Sequence, residues 1–261
     1  MSAFTKDCLA GRSVLLTGAL GAIGQVVIDT LTAHGATVVA NDILSDEEAE
    51  SVAARHRWPV SGYRYVRADI TKSDEVERLL ALAVNPTGKL DVALCHAGMV
   101  LACPILDYVE KDWDAIVDLN LKGTFLIAQA AARIMAKQKS AGKIIFTSSW
   151  VQDVPWPEIT PYTVTKSAMR TLMRGMAREL APKGIRVNAV APGIVGVGIA
   201  KRQWDTEPDY RRRAEKAIPL GELQTPESVA NALLFLCSDA ADYMTGATLL
   251  IDGGCSLYPM D

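Results

Sequence analysis

The stretch PYTVTKSAM, residues 161–169, sets Tyr162 four positions before Lys166. On a helix, residues four apart share one face, so the phenol and the ammonium reach one small volume. A phenol positioned in this way can serve as a general acid or base, delivering or removing a proton. A free tyrosine titrates near a pH of about 10, too high for a base near neutrality. An ammonium within about 4–6 Å favours the phenolate. At an effective dielectric constant of about 20 one such charge contributes about 3–4 kcal/mol, which predicts a lowering by about 2–3 pH units. The same spacing also describes an ordinary solvated helix face, so the rest of the chain has to decide between the two.

A second candidate lies near the start. LLTGALGAIG, residues 15–24, reads as a strand, a glycine-rich turn and the first residues of a helix, with Gly18, Gly21 and Gly24 at three-residue intervals. Such a turn lets backbone approach a pyrophosphate while helix N–H groups point at it. The spacing differs from GxGxxG. Asp42 ends the next strand, 18 residues after Gly24, where a carboxylate can hold both ribose hydroxyls of NAD and repel the 2′-phosphate of NADP. No Lys or Arg lies between residues 18 and 24 to favour that phosphate.

The elements that must position these groups alternate along the chain. Strands are predicted at 13–18, 37–42, 63–69, 90–98, 142–149, 185–193 and 247–254, and helices at 23–35, 46–56, 72–84, 110–138, 161–184 and 226–239. Gly35 is the stop signal of the first helix, Ser73 or Asp74 a cap for the third, and Thr225 the N-cap of the last. The strand runs are apolar on both faces, as in a parallel sheet covered on both sides. The expectation is an α/β fold: a Rossmann-type, doubly wound, seven-stranded parallel sheet with helices on both faces, and ligands beyond the carboxyl ends of the strands.

Composition narrows the function classes. The chain has 261 residues, 49% hydrophobic and 22% charged, with a formal net charge of −3. That balance gives no reason to expect a nucleic-acid partner or an anionic membrane surface. Cysteines 8, 95, 103, 237 and 255 form no CxxC pair, and histidines 34, 56 and 96 have no metal-ligand spacing, so no metal is expected. The scattered cysteines fit a reducing cytosol, and neither a signal peptide nor a long apolar span is evident, so a cytoplasmic protein is expected. No linker composition divides residues 1–261, which read as one domain.

Taken together, TGALGAIG, the AD at 68–69, HAG at 96–98, Asn120, SS at 148–149, YTVTK at 162–166, APG at 191–193 and DGG at 252–254 resemble the short-chain dehydrogenases/reductases. The resemblance covers essentially the whole chain, and the ordered set is highly specific. It implies a nicotinamide dinucleotide, which Asp42 specifies as NAD, contacted by Gly18, Leu20, Gly21, Ala22, Ile23, Asp42, Asp69, Ile70, Ala97, Gly98, Tyr162, Lys166, Pro192, Gly193 and Val195, with Asp69 facing the adenine. It implies a catalytic centre of Ser149, Tyr162 and Lys166, with Ser149 holding the substrate oxygen and Asn120 joining a proton relay through water to Lys166. Lys166 would also clamp the nicotinamide ribose. Three positions depart from the family pattern: Ala22 stands for its middle glycine, Cys95-His96 for two asparagines, and Val197 for a threonine near the nicotinamide amide.

The substrate is less legible. The loop WVQDVPWPEIT at 150–160 and the segment at about 194–223, which resembles the family's lid, are expected to form its pocket. Trp150, Gln152, Trp156, Trp204 and His96 are candidate pocket residues, suited to a sugar, polyol or cyclic alcohol and its ketone or lactone. Lys201, Arg202 and Arg211 to Arg213 offer an alternative reading of an anionic substrate, or simply a solvated helix face. Two other functions stay open: an NADPH-dependent 3-oxoacyl-thioester reductase, which Asp42 disfavours, and a non-catalytic dinucleotide sensor. The resemblance also implies a homo-oligomer, dimer or tetramer, built through the helices at 110–138 and 161–184 with the last strand and tail nearby. Ala128, Ala130, Ala131 and Ala132 would permit close helix packing there, or pack within the chain.

Overall fold

The computed structural model describes residues 5–59, 61–84, 88–138 and 141–257. Seven strands, β1 (Ser13–Thr17), β2 (Thr37–Asp42), β3 (Tyr63–Arg67), β4 (Val92–Cys95), β5 (Gly142–Thr147), β6 (Ile185–Pro192) and β7 (Thr248–Ile251), form one sheet in the order β3-β2-β1-β4-β5-β6-β7. Every neighbouring pair is parallel. The strand order reverses between β1 and β4, and the resulting crevice at their carboxyl ends is where this topology admits a ligand.

Alternation along the strands divides the core. Val14, Leu16, Val38, Ala40, Val92, Leu94 and Ile145 face one layer, packed with Val27, Ile28 and Leu31 of α1 (Ala22–Ala33) and Val229 and Leu233 of α9 (Pro226–Cys237). Their neighbours Leu15, Val39, Ala93, Cys95, Ile144 and Phe146 face the other. There they meet Leu79 of α3 (Ser73–Val84), Ile127 and Ala131 of α5 (Thr124–Gln138) and Met169 and Met173 of α6 (Thr160–Leu180). The period of two gives each strand an apolar residue for both helical layers, which explains why the runs are apolar throughout.

Local signals account for several ends. Helix α2 (Asp46–His56) starts on a capping box in which Ser45 accepts from the Glu48 N–H and Glu48 accepts from the Ser45 N–H. Thr225 caps α9 through the Ser228 N–H, and Gly35 follows α1 with φ of +88°. In α3 the first helical bond is taken by the Lys72 carbonyl, so neither Ser73 nor Asp74 occupies the cap position.

Two differences from the sequence expectation bear on the site. The helix predicted over 110–138 is α4 (Glu110–Val117), a π-helical stretch Asp118–Gly123, then α5. The segment at about 194–223 contains two helices, α7 (Gly198–Thr206) and α8 (Pro208–Ala217). They pack with Trp150, Val151, Ile194 and Ile218 in a small third apolar cluster beside the strand ends. No described helix is long and apolar enough to cross a membrane.

Candidate active site

The glycine turn after β1 opens onto a cleft of about 510 Å³ at the switch in strand order. Gly18 adopts φ of +65°, and a Cβ there would lie 2.7 Å from the Ala97 Cα, so only glycine lets the β1 and β4 loops meet this closely. Gly21 stands at the N-cap of α1 with no side-chain cap, leaving the first-turn N–H groups directed out of the helix end. Ala22 is the first residue of α1 and its methyl is exposed at the cleft wall.

Asp42 is fixed by two backbone donors, Leu20 N–H at 3.0 Å to one carboxylate oxygen and Ile43 N–H at 2.8 Å to the other. Each oxygen keeps acceptor capacity. Leu20, Gly21, Ile23, Ala68, Ile70, His96, Ala97, Gly98 and Val197 also line this cleft. Asp69 does not: its carboxylate accepts from the Thr71 N–H and hydroxyl and pairs with Lys72. It faces a separate depression with Arg67 and Arg78. The local turn engages one Asp69 carboxylate oxygen, while its neighbours Ala68 and Ile70 line the cleft. Pro192 is buried at the end of β6 and lines neither the cleft nor the adjoining cavity.

Beside the cleft lies a cavity of about 210 Å³ walled by Ser149, Trp150, Val151, Trp156, Tyr162, Ile194, Tyr210 and other side chains. Ile23 and Val197 belong to both walls, so the two spaces adjoin. Ser149 lies two residues beyond the end of β5 and caps the short turn Trp150–Gln152. Tyr162 and Lys166 project from the first turns of α6, with the Lys166 Nζ 5.4 Å from the Tyr162 ring centroid. That ammonium donates to the Thr147 carbonyl at 2.7 Å, which fixes it under β5.

The electrostatics differ from the expectation drawn from spacing. Burial pushes the Tyr162 phenol up to about 12, and the hydrogen bond with Ser149 pulls it only partly back. Burial likewise brings Lys166 down to about 8. Desolvation disfavours the charged form of both groups and outweighs the proximity of the ammonium to the phenol. Tyr162 is therefore a neutral phenol near pH 7, ready as a proton donor. As a proton acceptor it needs positive charge brought into the site.

Asn120 sits in the π-helical stretch, completely buried. Its carbonyl oxygen accepts from the Met99 N–H at 2.8 Å, and its amide donates to the Met99 carbonyl at 2.8 Å and to the Thr165 hydroxyl at 3.3 Å. The side chain is thus a latch between the loop after β4 and α6. Both amide hydrogens are committed, while the carbonyl oxygen keeps acceptor capacity.

His96 lies in the cofactor-side cleft and does not line the cavity. Its N–H donates to the Thr17 hydroxyl oxygen and its Nδ1 lies 3.0 Å from the Thr147 hydroxyl. Burial, then the charge of Lys166, lowers it to about 4, so it is neutral near pH 7. Trp150 and Trp156 line the cavity and meet edge to face at 5.4 Å. Gln152 does not line it: it accepts from Ser148 at 2.8 Å and donates to Asp153 at 3.0 Å. Trp204 packs against the lid cluster with the Arg211 guanidinium over its ring, outside the cavity wall.

Sequence reasoning missed Thr17, whose hydroxyl accepts from the His96 and Ala97 N–H groups and so holds the loop after β4. It also missed Thr147, Glu158 and Tyr210 in or beside the cavity, whereas Arg213, one of the cations singled out at 201–213, does line it. Only Thr17 carried a usable signal, its place directly before Gly18. The cradle at Gly18, the oriented Asp42 carboxylate and the free first turn of α1 fit a nicotinamide dinucleotide. Such a cofactor, when bound, exchanges a hydride with substrate carbon.

Comparison with known proteins agrees with this geometry. The family model described as enoyl-(acyl carrier protein) reductase matches residues 18–256. A 3β-hydroxysteroid dehydrogenase of Eggerthella lenta is 35% identical over 254 residues, covering 97% of each chain. A glucose 1-dehydrogenase of Gluconobacter oxydans is 35% identical over 261 residues, covering 99% of this chain and 97% of the relative. A crystal structure of a short-chain type dehydrogenase/reductase from Mycobacterium marinum superimposes with a TM-score of 0.87 at 35% identity, covering 95% of this chain and 97% of that one. The chain is therefore a member of the short-chain dehydrogenase/reductase family, oxidoreductases that act on CH–OH groups.

Proposed function

We propose that the protein interconverts a cyclic secondary alcohol and its ketone with NAD(H). The observation that carries this reading is the adjacency of two spaces. Ser149 and Tyr162 line a largely apolar, aromatic-walled cavity, and that cavity shares Ile23 and Val197 with the cleft bearing Asp42. Ser149 would donate a hydrogen bond to the reacting oxygen, an electrostatic stabilisation of the charge that develops there. Tyr162 would exchange the proton at that same oxygen, and Lys166 would bias the phenol towards phenolate. Trp150, Trp156 and Tyr210 suit a ring frame better than a fully hydroxylated sugar, which would leave many hydroxyls without partners. Asp42 would hold the ribose hydroxyls of NAD, and α7 with α8 would act as the lid. The whole chain would work as one domain. The five free cysteines support a reducing, cytoplasmic setting.

A second reading, NADPH-dependent reduction of a 3-oxoacyl thioester, draws on the family model's description and on Arg67. Its guanidinium reaches the Ile43 carbonyl beside Asp42 and could meet a 2′-phosphate. The deciding experiment is a titration of NAD(H) and NADP(H) on wild type and Asp42→Ala, followed by turnover with cyclohexanol, decalin-2-ol, glucose and a 3-oxoacyl thioester. NAD-linked oxidation of the ring alcohols, with at least tenfold weaker NADH binding by Asp42→Ala, is expected. Preference for NADPH and the thioester would overturn the first reading in favour of the second.

A further inference from the structure

We propose that Arg213 and Glu158 form a second polar point in the substrate cavity and read a neutral hydroxyl carried by the substrate in addition to the reacting one. The proposal deepens the ring-alcohol reading and rests on it. Among the cations at 201–213, Lys201, Arg211 and Arg212 are tied along exposed helix faces to Asp205, Glu215 and Asp209. Arg213 is different: it lines the cavity. Its guanidinium is held 5.2 Å from the Trp156 ring centroid and 6.0 Å from that of Tyr210. Its Nε–H is shielded from solvent and has no acceptor in the protein. The Glu158 carboxylate stands 4.0 Å from the guanidinium, an ion pair too long for a hydrogen bond.

Glu158 also lines the cavity, and its backbone is held at φ of +68° while its carbonyl accepts from the Cys103 N–H at 2.8 Å. A non-glycine residue in this left-handed region is strained, and strain of this kind gathers at ligand sites. Both signs of charge therefore stand on a largely apolar wall whose other polar side chains are Ser149, Tyr162, Gln203 and Tyr210. A hydroxyl satisfies both at once, its oxygen accepting from the Arg213 Nε–H and its hydrogen donated to Glu158. A carboxylate would pair with Arg213 but face the like charge of Glu158. A bare ring would leave the buried Nε–H unpartnered. The substrate class is thus an apolar ring frame bearing two separated hydroxyls, or one hydroxyl and the ketone made from the other.

The test is calorimetric binding, with and without NADH, of three ligands on both cyclohexane and decalin frames: the mono-alcohol, the diol and the hydroxy acid. We expect the diol to bind about tenfold or more tightly than the mono-alcohol on at least one frame, the effect of a hydrogen bond to a charged donor. The ratio should fall towards one in Arg213→Met and drop in Glu158→Gln. Should Arg213→Met misfold, Arg213→Lys keeps the charge, removes the Nε–H and should show the same collapse. Equal binding of diol and mono-alcohol, or a ratio the variants leave intact, would overturn the proposal. So would tightest binding of the hydroxy acid, which would make this an anion site. NAD-linked turnover is assayed separately: an Arg213-dependent binding ratio without turnover defeats the enzymatic reading alone, and turnover with an Arg213-independent ratio defeats this proposal alone.

Discussion

At the residue scale, proximity and desolvation oppose each other. Lys166 lies under the Tyr162 ring, yet burial dominates and leaves the phenol near 12 and the lysine near 8. Replacing Tyr162 by Phe removes the proton-transfer group and little volume. Turnover should fall about 10²- to 10⁴-fold with the melting temperature and dinucleotide affinity preserved; a variant keeping most of its rate would remove Tyr162 from the mechanism. His96 supplies a pH test. It titrates near 4 when folded, against about 6.5 when unfolded. Between those values the unfolded chain binds more protons, so stability is complete above about pH 6.5 and declines as pH falls towards 4, by at most about 3 kcal/mol. Urea unfolding of His96→Asn across this window should show a shallower loss than wild type, whereas parallel curves would exclude His96 as the source.

At the element scale, the π-helical stretch and the glycine turn place loops that periodicity treats as featureless. Asn120 holds both the N–H and the carbonyl of Met99, so Asn120→Ala orphans two backbone groups and should cost about 2–4 kcal/mol. A drop in denaturation midpoint should accompany it; unchanged stability would mean that Met99 finds other partners. Gly18→Ala forces a side chain into left-handed backbone 2.7 Å from the Ala97 Cα. The strain is about 1–2 kcal/mol before the collision is counted, so weaker dinucleotide binding and lower stability are expected together. Alanines 128, 131 and 132 are buried in the core beneath the sheet, which gives them the intrachain role.

At the scale of the whole molecule, Trp113 of α4, Phe125 of α5 and Val164 of α6 are 40%, 38% and 43% exposed, and Leu106 and Val109 in the loop before α4 are exposed as well. An oligomer assembled through these helices would cover these side chains. Light scattering should find a dimer or tetramer, and Phe125→Lys with Val164→Lys should shift it towards monomer; a monomeric wild type would refute assembly through this face. The tail beyond residue 257, expected near such an interface, lies outside the described residues. The alternation of β and α elements, their order and the Tyr162–Lys166 pair were legible in the sequence because each rests on local periodicity or short spacing. Some termini were legible too, where a cap such as Thr225 or a stop such as Gly35 marked them. The π-helical break at Asn120 was not, because its apolar pattern continues an ordinary helix and the latch partner Met99 lies 21 residues away. Nor could spacing tell that Arg213 rather than Trp204 reaches the cavity, that Gln152 turns to Ser148, or that Tyr162 is pushed up rather than down. Those outcomes depend on which distant groups share a wall and how much water they exclude. The local pattern therefore determined the parts and their order, and long-range packing with desolvation decided which side chains meet and what charge they carry.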